Sequence, residues 1–416
     1  MNYVVIGYGG RGDVYSSILK NNPKVKLIAV CDIDKNKLNI AKQNFGLDSS
    51  FLFDDEDEFF SKGKLADIAF ICTQDKLHHR HAIKALNAGY DLLLEKPIAT
   101  DLKSCMEIIE LSKKLNRKVF VGHVLRYSPF FNKIKQELNS GNYGKVVTIN
   151  ITENVGYKHQ AHSYVRGNWA DTNSSTPMIV AKCCHDLDLL QFFVGNPCES
   201  VSSFGSLTHF TAQNAPEGCA DRCFDCKYFD TCKYSVKNCY INLAKNGMEK
   251  NGKIPWPADI VCGFVNDLNV LTEKLKTGNY GRCVYKCSNN AVDHQVVNLL
   301  FKGGQTAHLT MTAFSESIYR EIHVHCENGE IYGNMLDNIL HCNLFNKESK
   351  QIDATVLGDT DYGHGGGDKL LLDDIIASYE GGSTQNLTSI ELSFASHVIG
   401  FNAELSRLKG GELIKL

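Results

Sequence analysis

The sequence has little proline, little tryptophan and almost no excess of charge of either sign. Its 416 residues include 8 prolines and 2 tryptophans, and the formal net charge is −3. A charge this small provides no basic surface for nucleic acid, so we expect no nucleic-acid partner. The apolar share of 43% is ordinary for a folded globular protein, and the length allows two domains.

Long apolar runs are also absent. No uninterrupted apolar stretch approaches the roughly 18 residues of a membrane span. The first predicted strand begins at residue 2, which leaves no room for a signal peptide. We therefore expect a cytoplasmic protein with no membrane partner. In that compartment its 16 cysteines should be reduced thiols or metal ligands rather than disulfides.

A glycine-rich turn follows the first apolar run. Gly7, Gly9 and Gly12 have the spacing G-x-G-x-x-G, with Gly10 and Arg11 between them, and a helix-like stretch begins at once. Such a turn brings backbone N–H groups and a helix N-terminus to a pyrophosphate. The alternative is a glycine turn that binds nothing, and the acidic residue after the second apolar run argues against it.

That acidic residue is Asp32. It lies 20 residues after Gly12, where a carboxylate accepts hydrogen bonds from the adenosine ribose. It also repels a 2′-phosphate, which favours NAD. Arg11 lies close enough in sequence to hold such a phosphate, so NADP stays open.

Strand and helix signals alternate over residues 1–123 and predict a doubly wound parallel sheet, a Rossmann domain. Strands are predicted at 2–6, 25–31, 67–72, 91–94 and 118–121. Residues 124–416 instead contain strands of alternating polarity, which predict an α+β domain with an open, mostly antiparallel sheet. These strands are predicted at 146–153, 201–205, 295–301, 306–314, 321–326 and 329–333. A Cys-rich insert at about 211–260 reads as irregular and without an obvious hydrophobic core.

The predicted strand 91–94 runs directly into Glu95-Lys96-Pro97. Ligands bind at the carboxyl ends of parallel strands, so a charged pair there suggests function. The bond before Pro97 is a candidate for the cis form. An ordinary surface lysine is the alternative.

These motifs together resemble the Gfo/Idh/MocA oxidoreductases, which include glucose–fructose oxidoreductase and inositol dehydrogenase. Segment 72–97 and the stretch GHVLRYSP at 122–129 are similar to the family pattern. The resemblance implies NAD(P) on the first domain, near Thr73, His78, Glu95 and Lys96. It also implies a sugar or polyol substrate, hydride transfer at a secondary alcohol carbon, and a homodimer or homotetramer.

The family's second catalytic segment resembles residues 181–188. By that resemblance His185 is the general base and Asp188 the last acid, while Lys96 polarises the substrate hydroxyl. The first acid of the family pattern is replaced by Ala181, and its glycine by Cys183. Lys182 adds a cation beside them, which points to an altered or anionic substrate.

Other candidates for substrate contact are polar or aromatic residues in predicted loops, and each has surface or interdomain packing as its alternative. They are Arg126, Tyr127, Tyr157, His159, His162, Arg166, Trp169 and His364.

Four cysteines cluster in the insert. Cys219, Cys223, Cys226 and Cys232 suit a structural zinc site, and their spacing also permits an iron–sulfur cluster. Free thiols are the alternative.

The predicted function is an NAD(P)-dependent dehydrogenase of a sugar, polyol or sugar derivative. Two alternatives stay open: an NAD-dependent glycosidase that uses transient oxidation, and a non-catalytic NAD(P)-binding regulator.

Overall fold

Six parallel strands form the first sheet of this computed structural model, which describes residues 1–358, 364–382, 384–385 and 388–416. Their order is β3-β2-β1-β4-β5-β6, with β1 (Asn2–Ile6), β2 (Lys26–Cys31), β3 (Leu52–Phe53), β4 (Ile68–Ile71), β5 (Asp91–Leu94) and β6 (Val119–Val121). The alternating helices are α1 (Gly10–Leu19), α2 (Lys35–Phe45), α3 (Glu56–Ser61), α4 (Asp75–Asn87) and α5 (Leu102–Lys114). The strand order reverses between β1 and β4, which opens a ligand crevice at their carboxyl ends. The doubly wound prediction is confirmed.

The second sheet has nine strands in the order β14-β13-β12-β11-β7-β10-β9-β8-β15. They are β7 (Val146–Asn154), β8 (Cys198–Ser206), β9 (His294–Phe301), β10 (Thr306–Thr312), β11 (Tyr319–Cys326), β12 (Gly329–Asn334), β13 (Ile339–Leu344), β14 (Lys350–Asp353) and β15 (Ile414–Lys415). Among these nine described strands only β7 and β10 pair in parallel. The open, mostly antiparallel sheet is therefore also confirmed.

Helices cover the inner face of this sheet. They are α6 (Pro129–Asn139), α7 (Tyr157–His159) with the π-helical turn Gln160–Arg166, α8 (Met178–Ala181), α9 (Cys184–Val194) and α14 (Ile390–Leu408). A further helix, α13 (Gly367–Tyr379), does not share this core. Helix α13 reaches back to the first sheet, where Leu371 and Ile375 share a core cluster with Tyr3 and Val5. The end of the chain therefore helps to join the two sheets.

The insert is longer and better ordered than the sequence suggests. It runs from the end of β8 to the start of β9 and contains α10 (Asn242–Asn251), α11 (Ala258–Cys262) and α12 (Leu268–Thr277). Val236, Tyr240, Val261 and Leu271 belong to a buried cluster formed within it. The expectation that the insert lacks its own core is wrong, because its apolar residues meet only when these helices pack together.

The helices of the described residues were also compared with the requirement for a bilayer span. None of them combines the length and the apolar character that such a span needs.

Candidate functional site

The glycine turn between β1 and α1 forms a tight backbone cradle. Gly7 has φ +90°, and a Cβ there would lie 2.8 Å from the carbonyl carbon of Cys72. A Cβ on Gly12 would lie 2.5 Å from the Gly7 oxygen, whereas one on Gly9 meets no atom within 4 Å. Helix α1 begins at Gly10, so its first N–H groups face the crevice beside the open side of Gly9. This geometry fits a pyrophosphate.

The carboxylate at the end of β2 is held in place by its own loop. Asp32 is buried, its Oδ1 accepts a hydrogen bond from the Asp34 N–H at 2.9 Å, and Lys37 Nζ lies 3.7 Å from Oδ2. The next residue, Ile33, is 90% exposed. A fixed carboxylate beside an exposed apolar side chain suits a ribose and an adenine face, respectively.

Arg11 lies in an ionic network instead of pointing freely into the crevice. Its Nε donates to Glu95 at 2.8 Å, and Nη1 and Nη2 donate to Asp368 at 3.1 and 2.6 Å. Tyr15 also donates to Glu95, at 2.6 Å. The Arg11 guanidinium outweighs burial and lowers the pKa of Glu95. Each of its three nitrogens donates to a carboxylate, which does not favour the expected 2′-phosphate contact.

His78 and Thr73 shape the crevice from below. His78 is buried, and its ring nitrogens lie 2.6 Å from the Pro97 carbonyl oxygen and 3.0 Å from the Thr73 carbonyl oxygen. The Lys96-Pro97 bond is cis. Within the described residues His78 thus contacts main chain at both nitrogens, so it positions the cofactor loops and offers no free polar atom to a cofactor.

Lys96 and His185 meet where the two sheets face each other. Lys96 Nζ donates to the Ala181 carbonyl oxygen at 2.7 Å, at the end of α8. His185 lies in the first turn of α9, buried, and its Nδ1 has no hydrogen-bond partner in the described part of the chain. Burial and then the Lys96 ammonium lower the pKa of His185 well below its usual value. The imidazole is therefore neutral near pH 7 and has a nitrogen free to accept a proton.

His364 lies beside His185. The two ring centres are 5.6 Å apart, and His364 Nδ1 lies 3.2 Å from the Asp368 carboxylate. Asp368 also binds Arg11, so one carboxylate joins the cofactor turn to the base. The Arg11 guanidinium, acting against burial, lowers the pKa of Asp368.

Asp188 is buried in an ion pair. Arg126 donates to it through Nε at 2.6 Å and Nη2 at 2.7 Å, and His123 Nδ1 lies 3.1 Å away. The Arg126 charge outweighs desolvation and lowers the pKa of Asp188 to about 2. Tyr127 donates to Asp374 of α13 at 2.8 Å. Asp188, Arg126 and Tyr127 thus join neighbouring elements of the fold behind the base. This arrangement departs from the substrate contacts expected of them.

Lys182 belongs to a second buried network. Its Nζ lies 3.2 Å from Glu153, whose other oxygen lies 2.7 Å from Arg320 Nη2. Arg320 also donates to Asp186 at 2.7 Å, and burial raises the pKa of Asp186 to about 6. Lys182 therefore stands at the edge of this network, where its charge still reaches the neighbouring His159.

His159 belongs to the run of residues 157–169 from which substrate contacts were expected, and it lies near Lys96 and Lys182. Its Nδ1 is buried with no partner in the described residues. Burial, then the charges of Lys182, His162 and Lys96, lower its pKa. Sequence reasoning named His159 only as one candidate of that run, because its approach to Lys96 is set by the fold.

An aromatic row borders this imidazole. Trp256 of the insert and Tyr164 lie 5.0 and 5.8 Å from the His159 ring, and Trp169 continues the row 6.0 Å from Tyr164. Trp169 Nε1 donates to Asp75 of α4 at 3.0 Å. The row runs from the insert to the first sheet and supplies apolar faces suited to a sugar ring.

The insert also covers the glycine turn. A Cβ on Gly10 would lie 3.5 Å from Ile260 Cδ1 of α11. Trp256 and Ile260 therefore place one end of the insert beside both His159 and the cofactor turn. Sequence reasoning missed this role because neither residue has a recognisable pattern.

Two remaining candidates lie under the opposite end of the insert. Tyr157 packs 5.9 Å from Tyr234, and Arg166 donates to the carbonyl oxygens of Arg282 and Tyr234 at 2.8 and 2.7 Å. Arg166 borders a cavity lined by Cys219, Cys223, Cys226 and Cys232. Both residues depart from the expected substrate contact, since they anchor the insert.

The fold and the site together define a two-domain, dinucleotide-binding oxidoreductase architecture. Residues 1–123 match the family model described as "Oxidoreductase family, NAD-binding Rossmann fold". Residues 135–400 match "Oxidoreductase family, C-terminal alpha/beta domain". The chain belongs to the Gfo/Idh/MocA oxidoreductase family.

Individual relatives are more distant. The inositol 2-dehydrogenase/D-chiro-inositol 3-dehydrogenase of Lactiplantibacillus plantarum is 26% identical over 51% of this chain and 57% of its own length. The 2,7-anhydro-N-acetylneuraminate hydratase of Mediterraneibacter gnavus is 26% identical over 49% and 52%. Such matches span about half the length of these curated relatives. The Bordetella pertussis WlbA dehydrogenase structure, solved with NADH and UDP-GlcNAcA, has TM-score 0.71 at 16% identity, covering 100% of this chain and 97% of that one.

Proposed function

We propose that the protein is an NAD(P)-dependent oxidoreductase that moves a hydride between nicotinamide and a secondary alcohol carbon of a sugar, polyol or sugar derivative. The observation that carries the proposal is the unpartnered, buried Nδ1 of His185 beside Lys96, at the carboxyl edge of the first sheet. An imidazole held neutral in a closed site is a suitable proton acceptor.

Each group near the base has a separate task in this proposal. His185 takes the hydroxyl proton, and Lys96 donates a hydrogen bond to the same oxygen while Ala181 holds its ammonium in place. His364 and Asp368 orient the base from the far side. The aromatic row excludes water and holds the ring of the substrate. Bound NAD supplies the hydride acceptor.

NAD fits the first domain better than NADP. The buried carboxylate of Asp32 lies where a 2′-phosphate would be repelled, and Arg11 is bound to Glu95 and Asp368. The solved relative with NADH is consistent with this choice.

The substrate is inferred to carry a negative charge or a strongly polar group near the reacting carbon. Ala181 and Cys183 replace two polar or small residues of the family pattern, whereas Lys182 adds a cation whose charge reaches His159. Lys182→Met should raise the KM of such a substrate with little change in kcat, and an unchanged KM contradicts this inference.

A second candidate is a reaction without net oxidation, as in an NAD-dependent glycosidase. The relative named a 2,7-anhydro-N-acetylneuraminate hydratase favours keeping it. In that case His185 would remove and return protons while the cofactor ends the cycle oxidised.

One screen separates these candidates. The purified protein is mixed with NAD or NADP and with sugars, polyols, sugar acids and aryl glycosides, and both NADH absorbance and released product are followed. Alcohol-dependent NADH that falls about 10²–10⁴-fold in His185→Ala and Lys96→Met supports the dehydrogenase. The exposed variant Lys103→Met is the matched control.

Two other outcomes have different meanings. Product release without net NADH supports the second candidate. Tight NAD binding with neither signal contradicts both candidates for the substrates tested and favours a regulator.

We also infer a homodimer or homotetramer built on the outer face of the second sheet. That face carries Phe204 and Leu300, exposed by 54% and 40%, next to polar residues of β9 and β10. Light scattering should give a mass above that of one chain, and Leu300→Glu should lower it.

A further inference from the structure

Five cysteine thiols line one cavity at the base of the insert. Cys219, Cys223, Cys226 and Cys232 come from the start of the insert and Cys283 from its end, around a volume of about 240 Å³. The backbone brings the two ends together. Arg222 and Arg282 form an isolated antiparallel β-bridge, and the Cys283 N–H donates to the Asp221 carbonyl oxygen at 2.8 Å. The thiols of Cys219 and Cys283 are in contact.

The spacing of these sulfurs argues against a single zinc ion. Four sulfurs on a tetrahedral zinc, with Zn–S of about 2.3 Å, lie roughly 3.8 Å from one another. Among the described residues, one set of three His, Cys or carboxylate side chains has all its ligand atoms within 4.8 Å of one another. That set is His323, His325 and Glu330. No three of the cysteine sulfurs meet that condition, so the zinc site expected from sequence is not preformed.

A larger centre needs its ligand sulfurs further apart than a single ion does. The ligands of an iron–sulfur cluster bind different irons, so their sulfurs stand further apart around a core that fills the space between them. A cavity of about 240 Å³ is far larger than a single ion requires. Tyr234, Tyr285 and Phe229 form much of the remaining wall, which is mostly apolar.

A buried cation completes the site. Arg166 is 4% exposed, lines the cavity and directs Nη2 to within 3.5 Å of Cys223 Sγ. Its Nη1 is buried with no partner in the described residues. A cluster held by four thiolates is negatively charged, and a buried guanidinium with a free donor compensates that charge.

We propose that this cavity binds a [4Fe–4S] cluster. Cys223, Cys226 and Cys232 are three ligands, and one of the contacting pair Cys219 and Cys283 is the fourth. The cluster ties the two ends of the insert together and so fixes the segment that covers the site. Its role is structural, and no electron transfer is inferred.

The test uses the full chain, purified without oxygen from cells supplied with iron, and it needs no enzymatic activity. Iron, acid-labile sulfide and zinc are measured per chain, together with the visible spectrum. About four irons and four sulfides with little zinc are expected. One zinc with no sulfide overturns the cluster in favour of a mononuclear site, and neither metal nor sulfide overturns any metal centre.

Variants then assign the ligands. Cys226→Ser and Cys232→Ser should lose most of the iron and the visible absorption, whereas Cys198→Ser, in β8 away from the cavity, should keep both. Of Cys219→Ser and Cys283→Ser, one should keep its iron. Full iron in Cys226→Ser contradicts the assignment, and if that variant does not fold, the metal and sulfide content of the unaltered chain still decides.

Discussion

At the scale of single residues, the surroundings of His185 set the pH range in which it can act as a base. Burial and the ammonium of Lys96 lower the pKa of His185, so the imidazole stays deprotonated through neutral pH and below it. The rate constant kcat/KM should therefore remain level as pH falls to about 6.5 and decline only at lower pH.

The matched measurement is an NMR titration of the histidine rings in Lys96→Met. Removing the like charge should raise the pKa of His185 toward its ordinary value of about 6.5. An acid limb of kcat/KM already at about pH 7, or an unmoved ring titration in the variant, would contradict this interpretation of the site.

A second residue-level prediction concerns Asp188. Its carboxylate binds buried Arg126 through two hydrogen bonds, so Asp188→Asn should cost about 3–5 kcal/mol of stability. Urea denaturation measures this, with exposed Asp230→Asn as control. If the carboxylate instead contacts substrate, KM will rise while the denaturation midpoint stays unchanged.

Sequence reasoning at this scale worked where the chemistry is local. The glycine turn, Asp32 and Glu95-Lys96-Pro97 are contiguous motifs and could be located directly. Arg126, Tyr127 and Arg166 were expected to contact substrate, but their partners Asp188, Asp374 and Tyr234 lie far along the chain. A side chain's polarity shows that it needs a partner and does not show which one the fold provides.

At the scale of elements, the long buried strands were predicted and the short or peripheral ones were not. Strand β3 has only two residues, and β13 and β14 are at the edge of the second sheet, where apolar alternation is weak. The helices of the insert were missed for a similar reason, since several are short and their shared core draws on distant residues. Periodicity needs several turns or alternations before it is informative.

The glycine turn between β1 and α1, which was located directly from the sequence, allows a specific test. A Cβ at Gly12 would lie 2.5 Å from the Gly7 oxygen, so Gly12→Ala should separate α1 from β1 and lower stability by about 1–3 kcal/mol. A Cβ at Gly9 meets nothing within 4 Å, so Gly9→Ala should fold normally and lose NAD affinity. Thermal melting and calorimetric titration with NAD measure the two effects. Equal loss of stability in both variants would contradict the separate roles.

At the scale of the whole molecule, the site is assembled from four regions of the chain. The first sheet supplies Lys96, the second supplies His185 on α9, and the insert supplies Trp256 and Ile260. Helix α13 adds Asp368, which binds the cofactor turn through Arg11. Stability and activity are therefore coupled, because the packing that forms the site on folding also buries titratable groups that water would otherwise solvate.

Buried histidines make the clearest consequence of that coupling. Desolvation lowers the pKa of His162 and of His397 to about 3, whereas an unfolded histidine titrates near about 6.5. Between these pH values the unfolded chain binds more protons than the folded one, so stability falls as pH falls through this window. Each of the two groups contributes a slope of about 1.4 kcal/mol per pH unit.

The prediction is a urea midpoint that is level above about pH 7.5 and decreases steadily from about pH 6.5 to 5. In His162→Phe the ring can still stack on Tyr280, which lies 4.6 Å from it, while the titrating group is lost. That variant should therefore show a shallower decrease. If the curve of the variant instead runs parallel to that of the unaltered chain, His162 has the same pKa in the folded and unfolded states. Its burial then does not lower that pKa.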